Sequence, residues 1–305
     1  MYLFVINKKS GNGNGLRTWL KVRSILQSDQ IEYRYIFTEN SDQAVDLISE
    51  MLQQPEPWRA VAVIGGDGTL HSVLPILKET GIPLAIIPAG SGNDTARSFG
   101  IPFDTVDSLN VLLTGQSQAV DLISTSGTLT LTALAIGFDA QVAANVNDSS
   151  YKKWCNTLRV GRVAYVIGIL HTLLTFKPGR VSVTCDDHTL TYDSTWMTAI
   201  SNMPYYGGGF KISPQAHPND GELDICVVHG CTRLQLLRLF PTVLIGRHVN
   251  LPFVTMLRGR QISIKSEMKQ LALGDGEDMS NLPHHSIVCP GMLQMMVPRA
   301  KSLTS

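Results

Sequence analysis

Three glycine-rich turns contain most of the residues in this sequence that could bind an anion or move a proton. They read NKKSGNGNG (7–15), GGDGT (65–69) and PAGSGND (88–94), and each follows an apolar run that is typical of a buried strand. Glycine lets backbone N–H groups crowd toward an anion, and a helix that begins after such a turn adds a favourable dipole. In an open parallel sheet such turns meet at one edge, where together they would form a polyphosphate site.

The second turn contains one carboxylate, Asp67, and one hydroxyl, Thr69. A carboxylate among backbone donors beside phosphates is costly unless it holds a metal ion, a ribose hydroxyl or a reacting proton. Two better-known phosphate-binding patterns are excluded. The sequence has no GxxxxGK[ST] stretch, and the GxGxxG pattern that begins at Gly11 fails at Leu16. Each turn taken alone is also typical of an ordinary strand-to-helix connection.

The amino-acid composition indicates which partners and which cellular compartment to expect. Charged residues make up 16% of the 305 residues and the formal net charge is zero, so we expect no nucleic-acid partner. The five cysteines form no CxxC pair, which favours scattered thiols in a reducing compartment. The longest apolar segment (162–176) is too short to span a bilayer. We therefore expect a cytoplasmic protein, peripheral at the inner face of the membrane at most.

The hydrophobic pattern divides the chain into two parts. Residues 1–121 alternate between apolar strands and helical periodicity, which predicts a parallel sheet covered on both faces. Residues 122–288 contain short alternating strands, which predict a mostly antiparallel second domain, with helical patterns at 151–176 and 232–247. The last strand can pair with either part, so residues 289–305 are candidates to pack back on the first. The predicted fold is α+β overall.

Several motifs together resemble one enzyme family. In the first half they are GGDGT and IPAGSGNDTAR (87–97), followed by GFDAQV (137–142). The second half adds SNMPYYGGGFKISPQAHPNDGELDI (201–225) and GDGED (274–278). In this order they resemble the catalytic domain of bacterial diacylglycerol kinases and related lipid kinases, akin to sphingosine kinases. The resemblance implies an N-terminal α/β domain similar to NAD kinases and phosphofructokinases, and a second domain similar to a β-sandwich.

The resemblance places ATP on the three turns, at the end of the second strand and beside the late acidic turn. The residues it assigns to nucleotide binding are Asn7, Lys8, Lys9, Ser10, Gly11, Thr38, Gly65, Gly66, Asp67, Gly68, Thr69, Leu70, His71, Ser91 and Glu277. Lys8 stands where the family usually has proline. Glu277 would contact the ribose or the nucleotide's magnesium.

For the chemical step the resemblance offers two carboxylates. It assigns Asp275 as the proton acceptor for the substrate hydroxyl, whereas the related sphingosine kinases point to Asp67. We expect Asp275 to be the base, with Asp67 in the magnesium network of the nucleotide or as a second base. Without the resemblance, the DG of residues 275–276 is typical of a plain hairpin turn.

The resemblance also implies a structural Mg²⁺ in the second domain. Its ligands would be the Asp220 carboxylate and the main-chain carbonyls of His217 and Glu222. Mg²⁺ takes few protein oxygens and keeps several waters, which suits such a set. The same Asn-Asp-Gly stretch is typical of a type I turn before a strand, and a turn and a metal site are compatible.

These expectations combine into an ATP-dependent lipid kinase that uses Mg²⁺ and phosphorylates a hydroxyl of diacylglycerol or a related lipid. The lipid must come from a membrane, and region 151–176 mixes basic, aromatic and apolar residues in a way that suits a bilayer interface. Two alternatives stay open: an NAD kinase, and a catalytically silent nucleotide- or lipid-binding regulator. A homodimer is compatible with the sequence, although no residue pattern indicates one.

Overall fold

The computed structural model describes residues 1–38, 41–78, 80–148, 161–279 and 284–299. The first half is a parallel sheet in the strand order β4-β3-β1-β2 with helices between the strands. Its strands are β1 (Tyr2–Asn7), β2 (Tyr33–Thr38), β3 (Ala60–Gly65) and β4 (Leu84–Pro88). Its helices are α1 (Ser10–Ser28), α2 (Ser41–Leu52), α3 (Asp67–Leu77), α4 (Asp94–Ser98) and α5 (Thr105–Thr114).

Both faces of this parallel sheet are buried. Along β1, Leu3 and Val5 join the core on one face, while Phe4 and Ile6 join the core on the other. Successive side chains on a strand point to opposite faces, so a strand covered on both sides needs apolar residues at every position. The continuous apolar runs of β1, β3 and β4 are therefore the direct cause of the two-sided covering that the sequence predicts.

The second half is built mainly from antiparallel strands. They are β5 (Gln116–Thr125), β6 (Thr128–Thr130), β7 (Ala133–Gly137), β8 (Gly179–Cys185), β9 (His188–Ser201), β10 (Leu223–His229), β11 (Val254–Gly259), β12 (Gln261–Ser266), β13 (Ala272–Gly274), β14 (Glu277–Asp278) and β15 (His284–Val297). The helices are α6 (Phe138–Asp148), α7 (Gly161–Thr175) and α8 (Arg233–Leu244), and a 3₁₀ helix follows at Arg247–Asn250. The predicted α+β fold class is confirmed.

The long strand β15 joins the two halves. It pairs antiparallel with β12 and along the whole of β5, and Met295 pairs parallel with Leu84 of β4. The sheet therefore continues from the parallel half into the antiparallel half without an edge between them. A shared sheet fixes the turns at the ends of β1, β3 and β4 relative to the loops of the second half.

Several predicted boundaries differ from the structure. The alternating pattern of residues 128–138 predicts a single strand, but the structure divides this run into β6 and β7, and α6 begins at its last residue. The sequence pattern predicts two strands, at 188–194 and 195–202, whereas the structure has one strand there, β9. The pattern did not single out helices α5 and α6. Of the helical region predicted at 151–176, residues 151–160 lie outside the described residues, and α7 begins at Gly161. Within the described residues, no helix is both long and apolar enough to cross a bilayer.

Candidate functional site

The second and third glycine turns are in direct backbone contact. The carbonyl oxygen of Gly65 accepts hydrogen bonds from the N–H groups of Ala89 (2.8 Å) and Gly90 (3.0 Å). A Cβ placed on Gly90 would lie 2.5 Å from the Cα of Gly66, closer than real Cβ atoms come. The two turns can therefore approach this closely only because neither residue has a side chain.

The first turn packs against the same place. A Cβ on Gly11 would lie 2.3 Å from the carbonyl oxygen of Ala89, and Gly11 has a φ of +55°, a conformation that favours glycine. The side-chain amide of Asn7 donates to the hydroxyl of Thr69 over 3.2 Å, which joins the first turn to the second. All three turns thus meet at the carboxyl ends of β1, β3 and β4.

Asp67 ties the second turn to the helix that follows the third. Its Oδ2 accepts a hydrogen bond from the N–H of Asp94, and its Oδ1 accepts from the N–H and the hydroxyl of Thr95, at 2.9–3.1 Å. A carboxylate at the first N–H groups of a helix satisfies donors that have no partner within the helix. Asp67 therefore holds the turns together through both of its oxygens.

Asp94 is the second carboxylate at these turns, and it is nearly buried. Its Oδ2 accepts a hydrogen bond from the N–H of Gly208 (2.7 Å), whereas its Oδ1 has no hydrogen-bond partner in the part of the chain that the structure describes and lies 3.9 Å from the Arg97 Nε. Burial raises the pKa of Asp94 to about 6; the Gly208 N–H opposes this rise, the Asp67 charge adds to it, and Arg97 lowers it. The site thus contains one buried carboxylate oxygen whose charge is only weakly compensated.

A second carboxylate cluster links the two halves of the chain. Asp275 lies in the turn between β13 and β14, and its side chain is only 2% exposed. Its Oδ1 accepts hydrogen bonds from the N–H (2.8 Å) and hydroxyl (2.5 Å) of Thr132. Its Oδ2 accepts from the N–H of Leu131 (2.6 Å) and contacts Nδ1 of His71, on α3, at 3.2 Å. The break between β6 and β7 is what frees the Leu131 and Thr132 N–H groups for this carboxylate.

His71 is the partner of Asp275 from the first half. Burial lowers the pKa of His71, but the hydrogen bond to Asp275 and the charges of Asp275 and Glu277 outweigh it, so the pKa is raised above 6.5. The opposite ring nitrogen, Nε2, has no hydrogen-bond partner among the described residues. The pair therefore places a histidine with one unengaged nitrogen beside an acidic turn.

The remaining residues predicted for nucleotide binding lie around these turns. Thr38 is buried opposite Asn7 in the β1–β2 pairing, and its hydroxyl contacts the carbonyl oxygen of Ile6 at 3.5 Å. The Lys8 ammonium lies over the Phe37 ring at 4.8 Å. Lys9 precedes α1, which begins at Ser10, and Ser91 is exposed after β4. Gly68 and Leu70 lie in the first turn of α3, and Glu277 begins β14.

The three residues predicted as ligands of a structural Mg²⁺ lie in the loop before β10. The Asp220 Oδ1 accepts a hydrogen bond from the N–H of Glu222 (3.1 Å), and its Oδ2 is ion-paired with Arg258. Arg258 also pairs with Glu222 at 2.9 Å, and the His217 ring nitrogen Nδ1 contacts the Gln215 carbonyl. A guanidinium therefore already neutralises the Asp220 and Glu222 carboxylates, and a Mg²⁺ held by Asp220 and the main-chain carbonyls of His217 and Glu222 stays a prediction.

Sequence reasoning missed several residues that build the site. The Asn93 side chain bonds both the N–H and the carbonyl of Gly90 (3.0 Å each), so it braces the third turn. Asp121 accepts from the N–H groups of Gly221 and Gly291, at 2.8 Å each. The Asn-Asp pair after the glycines was visible in the sequence. The donors to Asp121 and Asp275 include backbone N–H groups, which leave no sequence signal.

Comparison with known proteins matches both halves of the chain. The diacylglycerol kinase catalytic domain matches residues 1–125, and the YegS C-terminal NAD kinase beta sandwich-like domain matches residues 132–297. A Bacillus subtilis protein named as a lipid kinase, YtlR, is 30% identical over 96% of this chain and 98% of its own length. A diacylglycerol kinase of Mycobacterium tuberculosis is 33% identical over 79% of this chain and 77% of its own.

A solved structure shares the fold. The crystal structure of a protein from Bacillus anthracis, named as a diacylglycerol kinase, superposes with a TM-score of 0.78 at 22% identity. The superposition covers 98% of this chain and 97% of the other. The combination of a parallel half and a β-sandwich-like half is therefore a known architecture.

The contact between the turns predicts a difference between two glycine substitutions. Gly90→Ala forces the Gly66 backbone to move, and we expect it to lower the free energy of unfolding by about 1–3 kcal/mol. Gly68→Ala is the matched control, because its Cβ meets nothing within 4 Å and alanine favours the helix. Denaturant unfolding of both variants measures the difference. Equal stability of the two variants would contradict the close contact.

Proposed function

The chain belongs to the lipid kinase family that contains the diacylglycerol kinase catalytic domain, and we propose that it transfers the γ-phosphoryl group of ATP to a hydroxyl of diacylglycerol or a closely related membrane lipid. It is a phosphotransferase with an alcohol acceptor. The observation that carries the proposal is the meeting of three glycine turns with the Asp275–His71 pair, which brings an anion site and a proton site together.

The turns suit the phosphates of MgATP. Phosphoryl transfer depends mainly on positioning and charge neutralisation, and backbone N–H groups at helix starts provide both. The Asp94 Oδ1, which is buried and has no hydrogen bond to any described residue, is a suitable neighbour for the cation that the nucleotide brings. A cation there would compensate a carboxylate whose pKa burial has raised to about 6. Asp67 would act by holding the turns, since both of its oxygens are engaged.

Proton removal from the lipid hydroxyl is better served by the Asp275–His71 pair than by Asp275 alone. A carboxylate has about four lone-pair positions, and four donors surround Asp275. To take a proton itself, Asp275 would have to give up one of these hydrogen bonds. His71 can accept the proton at Nε2 while Asp275 orients the ring and stabilises its charged form.

In the second half we propose that Arg258 takes the place of a structural cation. Arg258 lies directly opposite Asp224 in the β10–β11 pairing and also contacts Asp220 and Glu222. Burial raises the pKa of Asp224 to about 6, and the Arg258 charge opposes that rise. The guanidinium therefore balances three carboxylates that would otherwise repel one another.

A kinase assay tests the proposed function. Purified protein is incubated with labelled ATP, Mg²⁺ and detergent micelles. The micelles contain diacylglycerol, another hydroxyl-bearing lipid or no lipid. A separate reaction contains NAD as a soluble acceptor. We expect a labelled product extractable into organic solvent that depends on lipid and Mg²⁺. A labelled product formed only from NAD, or ATP hydrolysis without lipid phosphorylation, would overturn the proposal.

Replacement of His71 tests its role as proton acceptor. His71→Asn keeps an amide N–H for Asp275 but has no basic nitrogen, so we expect kcat to fall by about 10²-fold or more. In the unmodified enzyme the rate should fall as pH drops through the raised pKa of His71, above 6.5, because only the neutral ring accepts a proton. The variant should lack that limb. Full kcat with the limb intact would show that Asp275 acts without His71.

Removal of metal tests the role of Arg258. We expect the nucleotide-free protein to have the same Tm in Mg²⁺ and in EDTA. Arg258→Gln should destabilise it by about 1 kcal/mol, because three carboxylates lose their cation. Arg180→Gln is the control, since Arg180 pairs with Asp193 and Glu267 on the surface. If Mg²⁺ raises the Tm of the unmodified protein but not that of Asp220→Ala, a metal ion binds at Asp220 and the proposed role of Arg258 is wrong.

A further inference from the structure

Helix α8 is apolar on two faces. Its inner face, with Leu236, Leu239 and Val243, is buried in the core of the second half. Its outer face and C-cap expose four large apolar side chains, at 39–62% of their area. They are Leu234, Leu237, Leu244 and Ile245, and we call them the outer leucine stripe. These residues are spaced by three, seven and one positions, which places them on one side of the helix. Pro241, between Leu237 and Leu244, is also exposed.

Helix α7 carries a similar row beside α8. Ile167, Leu170 and Leu174 are 41%, 46% and 75% exposed and are spaced by three and four residues. The end of α7 is bound to the start of α8, because the Arg233 Nε donates to the carbonyl oxygen of Leu173 over 2.8 Å. The two exposed rows therefore lie on helices that are joined at this point. Exposed apolar rows of this extent are uncommon on a monomer unless they bind something.

The sequence segments that contain the two helices carry charges of one sign. Residues 149–179 contain five Lys and Arg and residues 230–250 contain three, and neither segment has an Asp or Glu. The whole chain has 25 basic and 25 acidic residues, so its neutrality hides a segregation of charge. Within the second segment Arg238 and Arg247 are exposed beside the stripe. An apolar row flanked by arginines, without acidic residues, is complementary to an anionic lipid surface.

The C-terminal end of α8 contacts a loop that reaches the nucleotide turns. The carbonyl oxygen of Val243 accepts a hydrogen bond from the N–H of Lys211 (3.3 Å), and Gly246 packs against Pro214. The same loop includes Gly208, whose N–H donates to Asp94. A surface that holds α8 would therefore lie close to the site of phosphoryl transfer.

We propose that the outer leucine stripe of α8 docks on an anionic bilayer, with the leucines inserted at the headgroup boundary and Arg238 and Arg247 on the lipid phosphates. The inference rests on the proposed function, because it names the surface through which a lipid kinase reaches its substrate. It places the main contact on α8, whereas the sequence-based expectation placed it at 151–176, the segment that includes α7 and its exposed row.

Vesicle sedimentation tests the docking without any need for catalysis. The full chain is spun with vesicles of phosphatidylcholine alone and with vesicles that also contain phosphatidylglycerol. We expect binding to the anionic vesicles that is about tenfold or more weaker in the triple variant Leu234→Gln, Leu237→Gln, Leu244→Gln. The control is Leu16→Gln with Leu190→Gln, two leucines of 39% and 45% exposure on other elements. Equal binding by the triple variant would overturn the proposal.

The arginines provide a second measurement. Arg238→Gln with Arg247→Gln should weaken binding to anionic vesicles by about fivefold per residue, an effect that high salt should remove. Binding to phosphatidylcholine vesicles should not change. If the double variant binds both vesicle types as the unmodified protein does, electrostatic docking at this face is wrong.

Activity separates this proposal from the proposed function. With a short-chain diacylglycerol in detergent micelles the triple variant should match the unmodified enzyme, whereas on vesicles it should lose rate. If no lipid is phosphorylated but vesicle binding still depends on the stripe, the proposed function fails and the docking stands. A dimer by light scattering that the triple variant abolishes, with vesicle binding unaffected, would assign the stripe to a second copy and overturn the docking.

Discussion

The absence of side chains at Gly66 and Gly90 is the constraint on which the candidate site depends. Two backbones meet where a single Cβ would lie 2.5 Å from the facing Cα. The contact is possible only because β3 and β4 are adjacent parallel strands whose carboxyl ends reach the same edge. Once the turns are in place, Asp67 and Asn93 secure them with hydrogen bonds to backbone N–H groups and to the Gly90 carbonyl. A closely packed backbone leaves little room for adjustment, so the N–H groups are held in position before any nucleotide binds.

Asp275 extends this organisation into the second half. It takes donors from Leu131 and Thr132 within that half and contacts His71, which lies on the helix that follows the GGDGT turn. The position of the histidine therefore depends on both halves at once. Strand β15 provides the rigid connection, because it pairs with β5 and β12 and touches β4. The orientation of His71 therefore depends on the packing of both halves of the fold.

The sequence predicts the regular strands of this protein well, but it predicts the contacts between distant residues poorly. The strand patterns YRYIFT (33–38) and QISIKS (261–266) have the same limits as β2 and β12, because runs rich in apolar residues mark such strands directly. The turns were predicted to meet because parallel strands share an edge. The division between β6 and β7, the donors to Asp275 and the pairing of Arg258 with Asp224 depend on register between distant strands. Register is decided by tertiary packing, and no local pattern records it.

Helix α8 shows why exposure has to be read from the structure. A helix with leucines on both faces looks like a core helix in sequence, since periodicity cannot tell a face that packs from one left open. Here the inner face completes a core with Trp196 and Phe138, whereas the stripe at Leu234 and Leu237 is left uncovered. An exposed apolar stripe does not gain the free energy of burial unless another surface covers it. The segment that carries the stripe (230–250) has three arginines and no acidic residue although the whole chain has zero net charge, and this segregation along the sequence favours a negatively charged surface.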